Sequence, residues 1–166
     1  MTFLRSLDRV LAKIEFILLV IFLSTMVVLA FTQVVLRNLF GTGLLWADTV
    51  VRHLVIWGGF TAAAIATSED RHISIDALTK FIPVRGRHAA QIFTNLFASV
   101  VCYFLMNAAW KFLLDEKAAG GELVLSIPTW IALLIIPVGY GLMAIHFLVK
   151  LLERGASAFG ARTEAR

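Results

Sequence analysis

Three residues inside one apolar run could do chemistry. In the stretch LLWADTVVRHLVIWGGFTAAAIATSEDRHISIDAL, residues 44–78, Asp48, Arg52 and His53 stand within a hydrophobic block that closes on Glu69, Asp70, Arg71 and His72. Asp48 and Arg52 are four apart with the acid first, the spacing and order that bring opposite charges together on one helix face. At 1.5 Å per residue, Arg52 would lie about 10 Å along such a helix from its start. A lone charge at that depth in a bilayer costs at least a few kcal/mol, so it needs a partner or a wet cavity. Two readings stay open: an ion or substrate site, or a paired charge that fixes the register of a packed helix. A segment over 43–53 lying along the membrane interface would lessen the cost.

Other polar residues offer less. Gln91, Asn95, Ser99, Tyr103, Asn107 and Lys111 each follow the last by four. Such a row drifts about 40° per step, so it winds round a helix instead of lining one face. Its amides and hydroxyls would go unsatisfied against lipid, so parts of it should touch protein or, on the sharper reading, a water-filled path. His53, His72, His88 and His146 raise the question of a b-type haem, which needs two imidazoles at one depth on facing helices. His53 falls near one side of the membrane. His146 comes 18 residues after Pro128, about 27 Å deeper, and the other two are in a loop. Asp70, His72 and Asp76 match no standard metal spacing. Walker, GxGxxG, GxSxG and HExxH motifs are absent from the sequence. The expectation is a protein that is not an enzyme and holds no cofactor.

The elements that must position these residues are membrane helices. Of 166 residues 60% are hydrophobic and 16% charged, with a mean hydropathy of +0.86, too little charge for a water-soluble surface. Four blocks reach the roughly 20 residues that cross a bilayer: 16–36, 44–67, 89–114 and 127–149. The fold class is an all-α integral membrane protein, a single domain over 1–166. The first block resembles a signal peptide in its basic start, yet it runs on past Ala30, which favours an uncleaved helix. The single cysteine, Cys102, permits no internal disulfide. The net charge of +4 comes from residues flanking the spans and calls for no nucleic acid.

Lysine and arginine set the orientation. Arg5, Arg9 and Lys13 precede the first span, Arg71, Lys80, Arg85 and Arg87 follow the second, and Lys150, Arg154, Arg162 and Arg166 close the chain. The positive-inside rule places both termini and the 68–88 loop in the cytoplasm. Trp46, Trp110 and Trp130 then fall at the outer interface, and Trp57 at mid-span. In the loop, Ile75, Leu78, Phe81 and Ile82 recur at helical spacing, which suits either a short amphipathic helix on the inner membrane surface or an irregular loop. Gly58, Ala62 and Ala66 form a small-xxx-small row for close helix packing, or a chance pattern in an alanine-rich helix. Ser126 can cap the fourth span, Pro128 suits its first turn, and Pro137 should kink it.

These stretches together resemble a known family. VVLRNLF closing the first span, WADTVVRHLVIWGGFTAAAIATSEDRHISIDAL, and LSIPTWIALLIIPVGYGLMAIHFL look like the small membrane subunit, of the DctQ/SiaQ type, of a tripartite ATP-independent periplasmic (TRAP) transporter. The matching positions are Asp48, Arg52, Trp57, the small run from Gly58 through Ala62 to Ala66, Arg71, His72, Ile73 and Asp76, with Asn95 and Pro137 as further interface candidates. The family more often carries Glu where Asp48 stands, a change that shortens the reach to Arg52. The resemblance implies a scaffold in the bacterial inner membrane that pairs with a large elevator subunit. A periplasmic binding protein delivers the solute, and uptake of an organic acid is symport with sodium held by the large subunit. Asp48 and Arg52 would then pair inside the bundle. The rival reading is a haem- or quinone-linked membrane anchor of a respiratory dehydrogenase.

Overall fold

The computed structural model describes residues 2–68, 84–123 and 126–163, with side chains described over 8–68, 90–123 and 126–152. Five helices carry the described chain: α1 Thr2–Phe40, α2 Leu45–Ser68, α3 Val84–Ala119, α4 Thr129–Leu133 and α5 Ile135–Thr163. Four segments among the described residues are long and apolar enough to cross a membrane: Asp8–Phe40, Leu45–Ser68, Ala90–Ala119 and Thr129–Leu152. The expected spans sit on these four within a few residues. The main extension is at the start of α1, where the helix holds Asp8, Arg9, Lys13 and Glu15 before the apolar run begins. The sequence also signs the helix ends. Gly41 after α1 and Gly120 after α3 have φ of +65° and +68°, the left-handed stop that glycine adopts without steric cost.

The helices form a row in the order α1, α2, α5, α3, with α1 meeting α5 over only a small area. An open row leaves its flanks unpacked. On α1, Phe16, Ile17 and Val28 are exposed, and on α3, Phe93, Phe97 and Phe104 are too. Faces of this kind suit lipid or another membrane protein, not water.

The small-residue row is not the one the four-residue spacing suggests. Ala62 is exposed and Ala66 half-buried. α2 instead buries Gly58, Thr61, Ala64 and Thr67, each three after the last. Steps of three turn about 60° backwards round a helix. The row therefore begins against α1, where Leu19 approaches Gly58, and ends beside α5, where Lys150 donates to the Thr67 carbonyl. Thr61 and Thr67 tolerate burial because their hydroxyls donate to the Trp57 and Ala63 carbonyls, at 2.8 and 2.9 Å.

The fourth span is interrupted at one residue, Leu134, which keeps helical dihedrals (φ −59°, ψ −25°), one turn before the Pro137 expected to kink it. α4 ends at Leu133 and α5 starts at Ile135, so Pro137 lies in the first turn of α5. Pro137 has no N–H for the Leu133 carbonyl, and its ring crowds that carbonyl. Ser126 does not cap α4. Pro128 is the capping residue and makes no side-chain bond. Ser126 instead has φ of 58° in a tight return where Leu123 N–H donates to the Ile127 carbonyl and Thr129 N–H to the Gly121 carbonyl.

Close packing of α2 on α5 gives a direct test. A methyl group at Gly139 would lie 2.6 Å from Phe60 Cδ1 and 2.9 Å from Phe60 Cβ, and the Phe60 ring is itself held edge-on to Tyr140 at 5.2 Å. Gly139→Ala should destabilise the protein by about 1–3 kcal/mol through overpacking. Gly59→Ala, which meets open space, should be neutral or slightly stabilising. Thermal unfolding of the two variants in detergent compares them.

Candidate functional site

The expected charge pair does not form within this chain. Asp48 and Arg52 both lie on α2 and both are exposed, and among the described residues no salt bridge joins them. Asp48 instead lines a cleft of about 260 Å³ with Gln33, Arg37 and the 41–45 connection. Arg52, seven residues into the second span, presents its guanidinium outward at a depth where lipid is a poor neighbour.

Trp57 does find a partner. Its indole Nε1–H donates to the Ala132 carbonyl at 2.7 Å, and its ring meets Phe22 edge-on at 5.5 Å. One side chain of α2 thereby satisfies backbone at the interruption between α4 and α5 and touches α1. The Pro137 break and Trp57 are one unit: the break loosens local backbone bonding, and the indole supplies a donor there. The Lys117 ammonium sits 5.1 Å over the Trp130 ring, whereas Trp110 lines a cavity with Pro137 and Gly141 further along the span.

At the opposite end, where α1 begins, the structure assembles a cluster that sequence reasoning missed. His146 on α5 is fully buried. Its Nδ1 lies 2.6 Å from Asp8 Oδ1 and its Nε2 3.0 Å from Glu15 Oε1. Asp8 and Glu15 are seven apart, two helical turns, so they share a face of α1. Lys150, one turn beyond His146, is buried and bonded to the Thr67 carbonyl. Three helices meet here through charge. The available signal was the heptad spacing of the two acids, together with the four-residue spacing of His146 and Lys150.

The polar row of α3 winds as its spacing predicts. Asn95 is buried, with Nδ2 lacking a partner among the described residues, whereas Tyr103, Asn107 and Lys111 are exposed. Asn107 turns its amide back onto the Tyr103 carbonyl at 3.0 Å. Arg71, His72 and Asp76, with the stretch 69–83 that held the expected amphipathic helix, lie outside the described residues. Both ring nitrogens of His146 are engaged by carboxylates, and His53 Nδ1 donates to the Thr49 carbonyl at 2.7 Å. The geometry therefore offers haem no facing pair from these two.

Comparison with known proteins gives a consistent result. The family of DctQ components of tripartite ATP-independent periplasmic transporters matches residues 26–156. An ectoine TRAP transporter small permease protein of Halomonas elongata is 31% identical over 151 residues, covering 90% of this chain and 78% of that protein. A protein of Haemophilus influenzae described as a TRAP transporter small permease is 31% identical over 107 residues, covering 64% of this chain and 66% of its own length, just under two thirds. A sialic acid TRAP transporter permease protein of the same species is 30% identical over 76 residues, which make up 44% of this chain and 12% of that permease. None of these supports a respiratory anchor.

Proposed function

The chain belongs to the family of DctQ components of tripartite ATP-independent periplasmic transporters, and from that premise we propose that it is a fixed membrane scaffold that docks a large transport subunit. The observation that carries this reading is Arg52: a guanidinium exposed at span depth, one turn from an exposed, unbridged Asp48. A lone chain would leave it facing lipid. A neighbouring membrane helix with a carboxylate would satisfy it, as buried or interfacial arginines are satisfied elsewhere. The short match to a much longer permease supports the same partner, since a small-subunit region can be one part of a single polypeptide.

The rest of the machine follows as expectation. The chain sits in the bacterial inner membrane with both termini in the cytoplasm. A periplasmic binding protein brings an organic solute to the complex. Sodium binds the large subunit, and this chain carries out no covalent chemistry. Alkaline phosphatase fused after Gly120 should be active, and fused after Arg85 inactive. The reverse pattern would overturn the orientation.

The docking reading is tested by charge reversal. Arg52→Glu should cost the complex about 2–5 kcal/mol, the range for breaking a desolvated interfacial charge pair. That is about 25-fold or more in affinity, measured as large subunit retained on the tagged small subunit in detergent. Because Arg52 is exposed in the isolated chain, the variant alone should keep its thermal midpoint. Unchanged retention of the large subunit would remove Arg52 from the interface.

A further inference from the structure

We propose that the end of the row where α1 begins is a proton-binding site, in which the His146 imidazole holds a second N–H and is clamped between the Asp8 and Glu15 carboxylates. The geometry sets the proton count. An ionised carboxylate only accepts hydrogen bonds, and a neutral imidazole donates from one nitrogen and accepts at the other. His146 has a carboxylate oxygen against each nitrogen, at 2.6 and 3.0 Å. With both carboxyls ionised, a neutral ring would set a nitrogen lone pair against an oxygen lone pair at one of those distances. A proton added to that nitrogen turns the repulsion into a charge-assisted bond. No other bond forms or breaks, and on release the proton leaves to water.

Burial says why the site needs that proton and where it would exit. Glu15 is 3% exposed and its Oε2 has no partner among the described residues. A carboxylate so poorly solvated needs a nearby cation to stay ionised. The His146 side chain is 0% exposed and that of Asp8 is 20%, so Asp8 is the side of the cluster that meets water. The neighbouring charges among the residues with described side chains are these. α1 adds Arg9 and Lys13, both exposed. α2 has no titratable residue between His53 and Ser68, and α3 none between Ala90 and Lys111 except Cys102 and Tyr103. α5 supplies Lys150, held on the Thr67 carbonyl. With the ring charged, each of the two carboxylates that touch it meets a cation on the ring; with the ring neutral, neither gains that charge from it. The proton therefore ties α1 to α5, two helices that otherwise share little contact.

Nitrogen NMR of histidine-labelled full-length protein in lipid nanodiscs tests the assignment, with His146→Gln identifying the His146 signals. At neutral pH both ring nitrogens of His146 should read as N–H. In Asp8→Asn with Glu15→Gln, where no anion remains to hold the charge, one should revert to a bare nitrogen. A ring with a single N–H in the unsubstituted protein overturns the proposal, whether the carboxyls beside it are ionised or one of them carries the proton. A double variant that keeps both N–H groups removes the two acids as the cause. If the double variant does not fold, the reading of the unsubstituted protein decides alone.

Discussion

His146→Ala is expected to destabilise the protein by about 3–5 kcal/mol, the cost of removing one partner from a buried charge cluster and leaving the others uncompensated. The loss falls unevenly. The Asp8 side chain is 20% exposed and can turn to water, whereas that of Glu15 is 4% exposed and cannot. Glu15→Gln in the same background should therefore recover more of the loss than Asp8→Asn, because it removes the stranded charge that has no route to solvent. Unfolding midpoints of the single and double variants in one detergent give the comparison. A single variant within about 1 kcal/mol of the parent, the level of an exposed pair, would show that the cluster carries no weight. Equal recovery by the two acid substitutions would show that Glu15 is wetter than its surroundings imply.

That cluster also marks where the sequence stopped being readable. The spans were legible, because about twenty apolar residues leave few alternatives in a bilayer. The interruption before Pro137 falls where a kink was expected, whereas the glycine stops at Gly41 and Gly120 lie several residues past the span ends expected at 36 and 114. Trp57 stood out as the one mid-span indole, although nothing in the sequence told that its acceptor would be Ala132, 75 residues on. Facing was the part that failed. A four-residue period selected Gly58, Ala62 and Ala66, whereas α2 lies between two neighbours and buries a three-residue row that rotates from one to the other. Asp48 and Arg52 had the correct spacing for a pair but point outward, since a helix-surface pair is worth only about 0.2–0.5 kcal/mol and does not dictate where long side chains go. Asp8 and Glu15 were overlooked for a related reason. Arg5, Arg9 and Lys13 around them carry the topological signal, and acids count little in it. Their partner lies 131 residues from Glu15, a distance that no local pattern reports.

This chain should move no solute by itself, and omission of it should abolish uptake by its complex. Coupled transporters build their sites from discontinuous helices in paired repeats, with freed backbone and ionisable groups near the bilayer midplane. Here one helix is interrupted, at Leu134, and the nearby Ala132 carbonyl already accepts the Trp57 indole. Among the described residues the buried charged side chains Glu15, His146 and Lys150 are bonded to one another or to the Thr67 carbonyl at one end of the row. Neither place offers a substrate the converging, unspent polar groups that binding needs. What remains available is surface: the Arg52 and Asp48 face and the apolar flanks of α1 and α3. Surface of that kind supports a scaffold, against which a moving subunit needs a fixed neighbour. Reconstitution in liposomes under a sodium gradient separates the possibilities. With the large subunit and the soluble receptor present, uptake of an organic acid should require this chain and fall to the level of empty liposomes without it. Uptake by this chain and the receptor alone would sink the scaffold reading, and full uptake by the large subunit and receptor without it would make the chain dispensable.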